Sequence, residues 1–591
     1  MIRLLFLSIF IPAILVAQSE ATARAYYQNG DFEKAIYEYK RLHEDSGSNL
    51  DYISKIVSCY QQLEQYKTAE TFLLQIIQKT NYPPFYVELG FNYQLQGNTN
   101  KASENYAQAI NSLSTNVNYA YPVARAFQNH TLLNEAISTY EKAMVLKPSL
   151  NLKLPLAQIY GEQGNIEKMM LNYIEFAQSN PIALPNIKRE VGNFINEDAT
   201  NSGNNILRKL LIKKIQQEPD LFWNEMLSWM FVQQKEFEKA FAQEKAIYAR
   251  APESLSRILD LAIIAKSENE YQTAKTIYNY VLANAQDSNT KLTATHDLLQ
   301  IEIEESDPNM YKTIEAQFLE ALNAYGKTSQ TFQIQIAYAH FLAFYMNKAQ
   351  EASTFLEEAL ALPLTTVEKA EIKLELGDIL LLQEQFNKAL IYYTQIQRNL
   401  KNSTISQKAR FKVAKASYYK GDFKWAESQL KILKSSTSQL IANDALDLKL
   451  LITDNKYEDS LQTALKLYAK ADLLAFQNKT DAAIAVLNQV LDNHKTEPII
   501  PQALFKQAQL YTKQRAFNNA VANYEYILEN YKDNIVLDNA TYHLAELYKL
   551  ELNNPEKAMA LYKSIVFNYA DSIYFVDARK KFRALRGDTI N

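Results

Sequence analysis

One short pattern recurs along most of the 591-residue chain. In residues 30–42 it consists of a glycine, a polar residue, an aromatic residue and then a small residue, Ala35, with Tyr39 four positions later. We call the small residue the marker and the residue four positions later the follower. Markers are 33–38 residues apart within each regular stretch, so the chain is predicted to repeat one structural element. The thirteen markers are Ala35, Ala69, Ala102, Ala136, Met169, Ala240, Ala274, Ala352, Ala389, Ala426, Ala483, Ala520 and Ala558.

Each repeat is predicted to hold two helices. A spacing of four between apolar residues is typical of one helix face, and every follower except Glu244 is Tyr or Leu. A second amphipathic run precedes the marker, as in residues 89–93. Glycine followed by Asp or Asn, as in Gly97-Asn98 and Gly164-Asn165, separates the two runs. Glycine can end a helix in the left-handed conformation, and Asp or Asn can cap the next one.

This arrangement resembles the tetratricopeptide repeat (TPR), which has about 34 residues, small residues where helices touch, and a proline near its end, here Pro148 and Pro252. The resemblance covers roughly residues 20–575. It implies an all-α fold, a right-handed superhelical solenoid of about 14–16 helix–turn–helix repeats, whose first helices line the concave side. Lapses in the pattern are expected to divide the solenoid into two or three arcs.

The lapses suggest a domain organisation. Residues 184–220 hold a basic amphipathic helix, which can bind a membrane or an acidic partner but is better explained as a surface helix. An acidic run before Pro308 lacks the spacing of a calcium loop and is interpreted as a solvated helix end. The predicted parts are a signal peptide (1–17), an N-terminal TPR array (18–183), an irregular helical insert (184–220), a middle array with a degenerate repeat (221–330), a C-terminal array (331–575) and a polar cap (576–591).

The N-terminus is predicted to direct export. Arg3 precedes an uncharged run to Ala17, which is too short to span a bilayer comfortably and is interrupted by Pro12. A retained membrane anchor is the alternative interpretation. The expected location is the periplasm or the outer-membrane periphery of a Gram-negative bacterium, without an integral membrane span. The one cysteine, Cys59, is expected to be a half-buried packing residue on a first helix.

Several functions are disfavoured by composition. The formal net charge of −4 argues against nucleic acid as a partner. The six histidines do not form a metal-binding motif, and phosphate-loop, nucleophile-elbow and dinucleotide motifs are missing from the sequence. We therefore expect no enzymatic activity, no cofactor and no metal.

Binding of proteins or peptides along the concave face is the remaining way for such a chain to act. Tyr and Arg suit interface hot spots, although ordinary exposed residues would have the same appearance. The first-helix positions do not match the Lys and Asn pattern with which some TPR proteins hold a terminal carboxylate. The candidate partner-binding residues are Arg24, Tyr27, Phe91, Tyr121, Arg125 and Gln128.

The last repeats indicate a more specific function and location for the chain. After their second helices they carry Asn530-Tyr531 and Asn568-Tyr569, each followed by Asp-containing starts at 538 and 577. This part is similar to envelope TPR proteins of the outer-membrane assembly machinery and the Tol–Pal system. It implies a non-enzymatic interaction scaffold of the bacterial envelope, associated with outer-membrane proteins. The alternative is a structural or peptidoglycan-associated protein, with Trp223, Trp229 and Phe231 as exposed glycan-binding rings instead of buried core.

Overall fold

A computed structural model describes residues 19–46, 49–198, 200–433, 438–455 and 462–588. Within these residues the regular structure consists of 32 α-helices and a few single turns of 3-10 helix, with no β-strand. The predicted signal peptide lies outside the described residues. None of the described helices is both long enough and apolar enough to cross a membrane.

The chain divides into two bodies between Leu261 and Ala262, within one helix. This division does not coincide with a boundary in the sequence-based organisation, which stays a prediction. The helices of the N-terminal body, up to the dividing helix, are α1 (19–28), α2 (Phe32–Ser46), α3 (Leu50–Gln62), α4 (Tyr66–Thr80), α5 (Pro84–Leu95), α6 (Thr99–Asn111), α7 (Ala120–Asn129), α8 (Leu133–Leu146), α9 (Lys153–Glu162), α10 (Ile166–Ser179), α11 (Leu184–Gly192), α12 (Ser202–Gln217), α13 (Leu221–Gln233), α14 (Phe237–Arg250) and α15 (Ser256–Ser267).

The C-terminal body begins in α15 and has one continuous apolar core from Leu292 to Phe582. Its further helices are α16 (Tyr271–Asn284), α17 (Ser288–Glu305), α18 (Tyr311–Tyr325), α19 (Phe332–Phe344), α20 (Ala349–Ala359), α21 (Thr366–Leu382), α22 (Phe386–Asn399), α23 (Thr404–Lys420), α24 (Phe423–Leu433), α25 (Gln439–Asn455), α26 (Thr463–Phe476), α27 (Thr480–Asn493), α28 (Ile500–Lys513), α29 (Phe517–Asn530), α30 (Leu537–Leu550), α31 (Pro555–Asn568) and α32 (Phe575–Arg586).

The recurring sequence pattern is the buried seam of this array. All thirteen markers and all thirteen followers are buried. Each marker lies on the second helix of a pair, where a small side chain lets the first helix approach closely. In chain order the described helices group into fifteen helix–turn–helix pairs. The two further helices, α25 and α32, lie outside these pairs and pack on α24 and α31. The predicted all-α fold of repeated helix–turn–helix elements is confirmed.

Two glycines on first helices allow a close approach of the second helix. A Cβ atom added at Gly90 would lie 2.5 Å from the ring of Tyr106, the follower of the same repeat. At Gly377 an added Cβ would lie 2.5 Å from Cζ of the follower Tyr393. The missing side chain therefore makes room for a buried tyrosine ring.

The predicted turn chemistry is also present. Gly97 and Gly164 have φ of 76° and 72°, in the left-handed region. The Asn98 and Asn165 side chains that follow accept hydrogen bonds from the backbone N–H groups of Lys101 and Lys168, each at 3.1 Å. These contacts cap the second helices α6 and α10.

The segments in which the sequence pattern lapses also form helices. Leu207 and Leu211 on α12 are fully buried and occupy the marker and follower places of one lapse. Ile314 and Phe318 on α18 do the same in another, again with no exposed surface. A large residue at the marker place leaves less room for the first helix. Accordingly α11 and α12 both pack on α10.

Candidate functional site

Four of the six candidate residues come from two helices of the N-terminal body that lie next to each other. Tyr121, Arg125 and Gln128 are four and three residues apart on α7, so they share one helix face. Phe91 lies on the neighbouring first helix α5, and its ring stacks on His130 at the end of α7 with centroids 3.9 Å apart.

On α7, the side chains of Tyr121 and Arg125 are exposed to solvent. The Tyr121 side chain is 54% exposed and contacts only the edge of Tyr140 among aromatic rings of the described residues, at 5.6 Å. Arg125 is exposed, and no described carboxylate forms an ion pair with it. Gln128 is half-buried. We refer to Tyr121, Arg125 and Gln128 as the α7 face.

His130 joins the α7 face to α5. Its Nε2 lies 3.0 Å from Oε2 of Glu88, while its ring covers Phe91. Phe91 is therefore half-buried by this contact, which leaves a smaller part of its ring available than that of Tyr121.

The remaining two candidates lie apart on α1. Arg24 forms an exposed ion pair with Glu20, at 3.1 Å. The Tyr27 hydroxyl lies 2.8 Å from Oγ of Ser58 on α3, and the Lys55 ammonium sits 4.5 Å above the Tyr27 ring. No hydrogen bond or ring contact in the described part of the chain connects Arg24 or Tyr27 to the α7 face. Tyr27 mainly packs α1 on α3.

The aromatic group of the glycan alternative faces largely inward. Trp223 has no exposed surface and Phe231 is 6% exposed. Trp229 is half-buried, with the Lys188 ammonium 5.6 Å from its ring centre. A glycan-binding platform needs rings that lie flat on the surface, so this alternative loses its main support.

The exceptional follower Glu244 is buried and fully paired, which sequence reasoning did not find. Arg257 donates to it through Nε at 2.8 Å and Nη2 at 2.9 Å, and the Ser228 hydroxyl donates at 2.6 Å. Thus a first-helix arginine of the next repeat neutralises the one charged follower.

A second polar arrangement, which is half-buried, links repeats of the C-terminal body. The follower Tyr562 donates to Glu546 on its own first helix, and Lys581 of the next first helix donates to the same carboxylate at 2.8 Å. Tyr393, Asp378 and Lys412 repeat this arrangement. No sequence signal identified it, because the three groups come from three helices.

A cavity of about 270 Å³ opens beside the Glu546 arrangement. Its lining includes Thr512, His543, Glu546 and Leu550 from the first helices α28 and α30. The His543 ring lies among the rings of Phe505, Tyr542 and Tyr574, and burial lowers its pKa although Glu546 acts in the opposite direction.

Cys59 is completely buried on α3, so the expectation of half-burial was wrong. Its place against the core of the first repeats leaves no surface open to solvent. Burial raises the pKa of its thiol to about 11, although Lys55 acts to lower it. The thiol is therefore protonated and weakly reactive at neutral pH.

The two charged segments singled out in the sequence are surface elements. On the basic helix α12, Arg208 contacts Glu236, and Lys214 contacts Glu175 at 2.6 Å. The acidic run ends α17 at Glu305, and Asp307 caps the following turn. The described residues contain no group of three or more His, Cys, Asp or Glu side chains that could hold a metal ion.

Comparison with known families identifies the C-terminal repeats. Residues 468–535 match the tetratricopeptide repeat family. Residues 539–572 match a tetratricopeptide repeat as well. These segments run from α26 to α31 and contain the regular marker–follower pairs at Ala483, Ala520 and Ala558. These C-terminal repeats are therefore similar to tetratricopeptide repeats. No curated protein matches the chain.

Solved structures of large helical proteins align with almost the whole chain at 14% identity. The Naa15/Naa10 complex bound to HypK-THB covers 97% of this chain and 96% of its own, with a TM-score of 0.27. The alignment with the APC/C hetero-tetramer Cut9–Hcn1 covers 91% of this chain and 96% of that chain, with a TM-score of 0.25. The alignment with yeast Tom70 covers 90% of this chain and 98% of that chain, with a TM-score of 0.29. What supports a protein–protein interaction scaffold for this chain is its TPR repeats.

Proposed function

We propose that this protein is a non-enzymatic scaffold of the bacterial cell envelope that binds proteins or peptides along its first helices. The observation that carries the proposal is the α7 face. A rigid helix there presents Tyr121 and Arg125 to solvent, and the arginine has no described carboxylate to pair with.

The chemistry of this face suits protein recognition. Tyrosine buries a large ring with few rotatable bonds, and arginine offers a planar fork of donors for carboxylates and backbone carbonyls. The neighbouring contact between Phe91 and His130 holds α5 against α7, so the surface is preformed. Because the surface is preformed, this protein would lose little conformational entropy when a partner covers Tyr121.

The non-enzymatic part of the proposal is supported by the TPR repeats and by the way in which polar groups of the first helices are engaged. Several carboxylates on first helices are engaged by groups of neighbouring helices, as Asp378 is by Lys412 and Tyr393. Such contacts connect successive repeats and occupy both carboxylate oxygens of Asp378. This arrangement supports a structural role for these half-buried charges.

The envelope location is proposed from the sequence at both ends. An uncharged run with a small residue at Ala17 supports export. The long C-terminal repeats support association with proteins at the outer membrane, because their pattern is similar to that of envelope TPR proteins. The periplasm or the outer-membrane periphery is the proposed site of action.

An affinity capture experiment tests the proposal. Residues 18–591 carrying Tyr121→Ala and Arg125→Ala are compared with the unsubstituted chain in cross-linked envelopes of the source bacterium, and bound proteins are identified by mass spectrometry. We expect a few envelope proteins to be recovered with the unsubstituted chain and to be depleted at least about tenfold with the double variant, a loss of about 1.4 kcal/mol.

The matched control removes the same residue types from a second helix. Tyr37 on α2 is 68% exposed, and Arg41 contacts Glu38 of the same helix and the Ser19 hydroxyl of α1. Neither residue lies on a first helix of the α5–α7 region, so Tyr37→Ala with Arg41→Ala should keep the captured proteins. Equal recovery with both double variants would contradict the assignment of the α7 face. Recovery of glycan fragments without proteins would contradict the proposed scaffold function.

A further inference from the structure

A polar cavity of about 170 Å³ lies between the start of α21 and the end of α22. Two lysines from successive turns of α21, Lys369 and Lys373, line it together with the Thr366 hydroxyl and the Asn399 side chain. No carboxylate is part of the lining. The polar half of the lining therefore consists of groups that can donate hydrogen bonds, two of them positively charged, and the other half is apolar: Leu364, Ala370, Ile396 and Leu400.

The two ammonium groups have no described counter-charge. Neither Lys369 nor Lys373 forms an ion pair with the described carboxylates. Both side chains are half-buried, and they repel each other because residues four apart share a helix face. Burial and the neighbouring charge of Lys369 lower the pKa of Lys373.

The carboxylates of α21 itself are engaged elsewhere. Glu368 accepts a hydrogen bond from the Thr365 backbone N–H at 2.7 Å, which closes the helix cap. Glu371 and Glu375 contact Gln333 and His340 of α19 at 2.6 and 2.8 Å. None of these acids neutralises the lysine pair, so the positive charge stays with the cavity.

Other repeats show how a cation at this place is normally satisfied. Lys153 lies sixteen residues before the marker Met169, as Lys373 does before Ala389, and it pairs with Glu175 at 2.8 Å. The place of Glu175 is taken by Gln395 in the α22 helix. Arg410, at the same place in the following repeat, donates to Gln429 at 3.1 Å. Many other repeats have an apolar residue there, such as Leu504 or Ile258.

We infer that this cavity is a binding site for a compact oxyanion, either a phosphate group or a carboxylate. The anion would accept hydrogen bonds from both ammonium groups and relieve their mutual repulsion. The volume exceeds the share of one water in the liquid, about 30 Å³, several-fold, which leaves room for one such group. The site lies between α21 and α22 of the C-terminal body. It does not depend on the proposed scaffold function.

Calorimetric titration of the purified full-length chain tests this site. Sodium phosphate and sodium acetate are the two probes, at an ionic strength kept constant with sodium chloride. We expect a saturable isotherm with at least one probe. Tighter binding of phosphate would assign the site to phosphoryl groups, and tighter binding of acetate would assign it to carboxylates.

Three variants separate a specific site from general charge effects. Lys369→Gln and Lys373→Gln should each weaken binding at least about tenfold. Each should keep the helical circular dichroism of the unsubstituted chain, since one of two repelling cations is removed. Lys388→Gln, an exposed residue of α22 outside the cavity, should bind as the unsubstituted chain does. The inference is overturned if neither probe saturates, or if folded Lys369→Gln and Lys373→Gln bind unchanged.

Discussion

Arg257 holds the buried carboxylate of Glu244 with two parallel hydrogen bonds, from Nε at 2.8 Å and from Nη2 at 2.9 Å. The Glu244 side chain is only 6% exposed, whereas Arg257 is 43% exposed and also reaches Glu225. The pair joins α14 to α15 at a place where other repeats have an apolar follower. Its two members should therefore respond differently to substitution.

Arg257→Met should destabilise α13–α15 by about 3 kcal/mol, because it leaves a buried carboxylate with only the Ser228 hydroxyl. Glu244→Leu restores the apolar follower and should cost less than about 1 kcal/mol. Hydrogen exchange of the amides in these helices measures both effects locally. Equal protection in the two variants would contradict the proposed role of the pair.

Gly377→Ala should destabilise the α21–α22 pair by about 1–3 kcal/mol, because the new methyl group would displace the buried ring of Tyr393. The displaced hydroxyl would also lose its hydrogen bond to Asp378. Gly161→Ala is the matched control, since its methyl group meets only the flexible Met169 side chain, with Sδ at 3.1 Å. That variant should be neutral or stabilised by up to about 1 kcal/mol. Chemical denaturation, with limited proteolysis as a local measurement, compares the stability of the two variants. If Gly161→Ala lost more stability than Gly377→Ala, the close-packing argument would be refuted.

The helices around His543 should lose stability as the pH falls below about 6.5. Burial lowers the pKa of this histidine in the folded chain from its ordinary value of 6.5. The unfolded chain then binds a proton before the folded chain does, so the stabilising contribution is complete above that pH and decreases below it. Hydrogen exchange of α28–α32 at pH 7.5 and 5.5 measures the change. His543→Phe should reduce the pH dependence, and a histidine pKa above 6.5 by nuclear magnetic resonance would contradict the prediction.

Cys59 should react with a thiol reagent only when the first repeats open. Its side chain is fully buried and its thiol has a pKa of about 11, so neither access nor ionisation favours reaction at pH 7. We expect labelling by an aromatic disulfide reagent to be at least about a hundredfold slower in the folded chain than in denaturant. Rapid labelling of the folded chain would show that α3 is not packed as described.

Much of the fold could be predicted because the repeats obey a local rule. The spacing of Ala35 and Tyr39 is a property of one helix, and the rule that buries this pair applies unchanged to the pair at Ala558 and Tyr562. The lapses were harder to interpret because Leu207 and Ile314 fill the marker place with large side chains. A search for small residues passes over them, although the helices still form.

The polar contacts between repeats could not be predicted in the same way. The sequence marks Glu244 as an exception, but nothing local indicates that Arg257 of the next repeat will close on it. The cavity lined by Lys369 and Lys373 depends on which acids are already engaged on another face of α21. Among the candidate residues, Tyr27 is largely used for packing, a role that depends on Ser58 of the next repeat.

Site-specific photo-cross-linking in intact cells of the source organism tests the central claim most directly. A photoreactive phenylalanine analogue replaces Tyr121 on α7 in one strain and Tyr37 on α2 in another, two exposed tyrosines on first and second helices. The account predicts discrete cross-linked envelope proteins from position 121 and none of these from position 37. The same products from both positions, or products from position 37 alone, would contradict binding along the first helices.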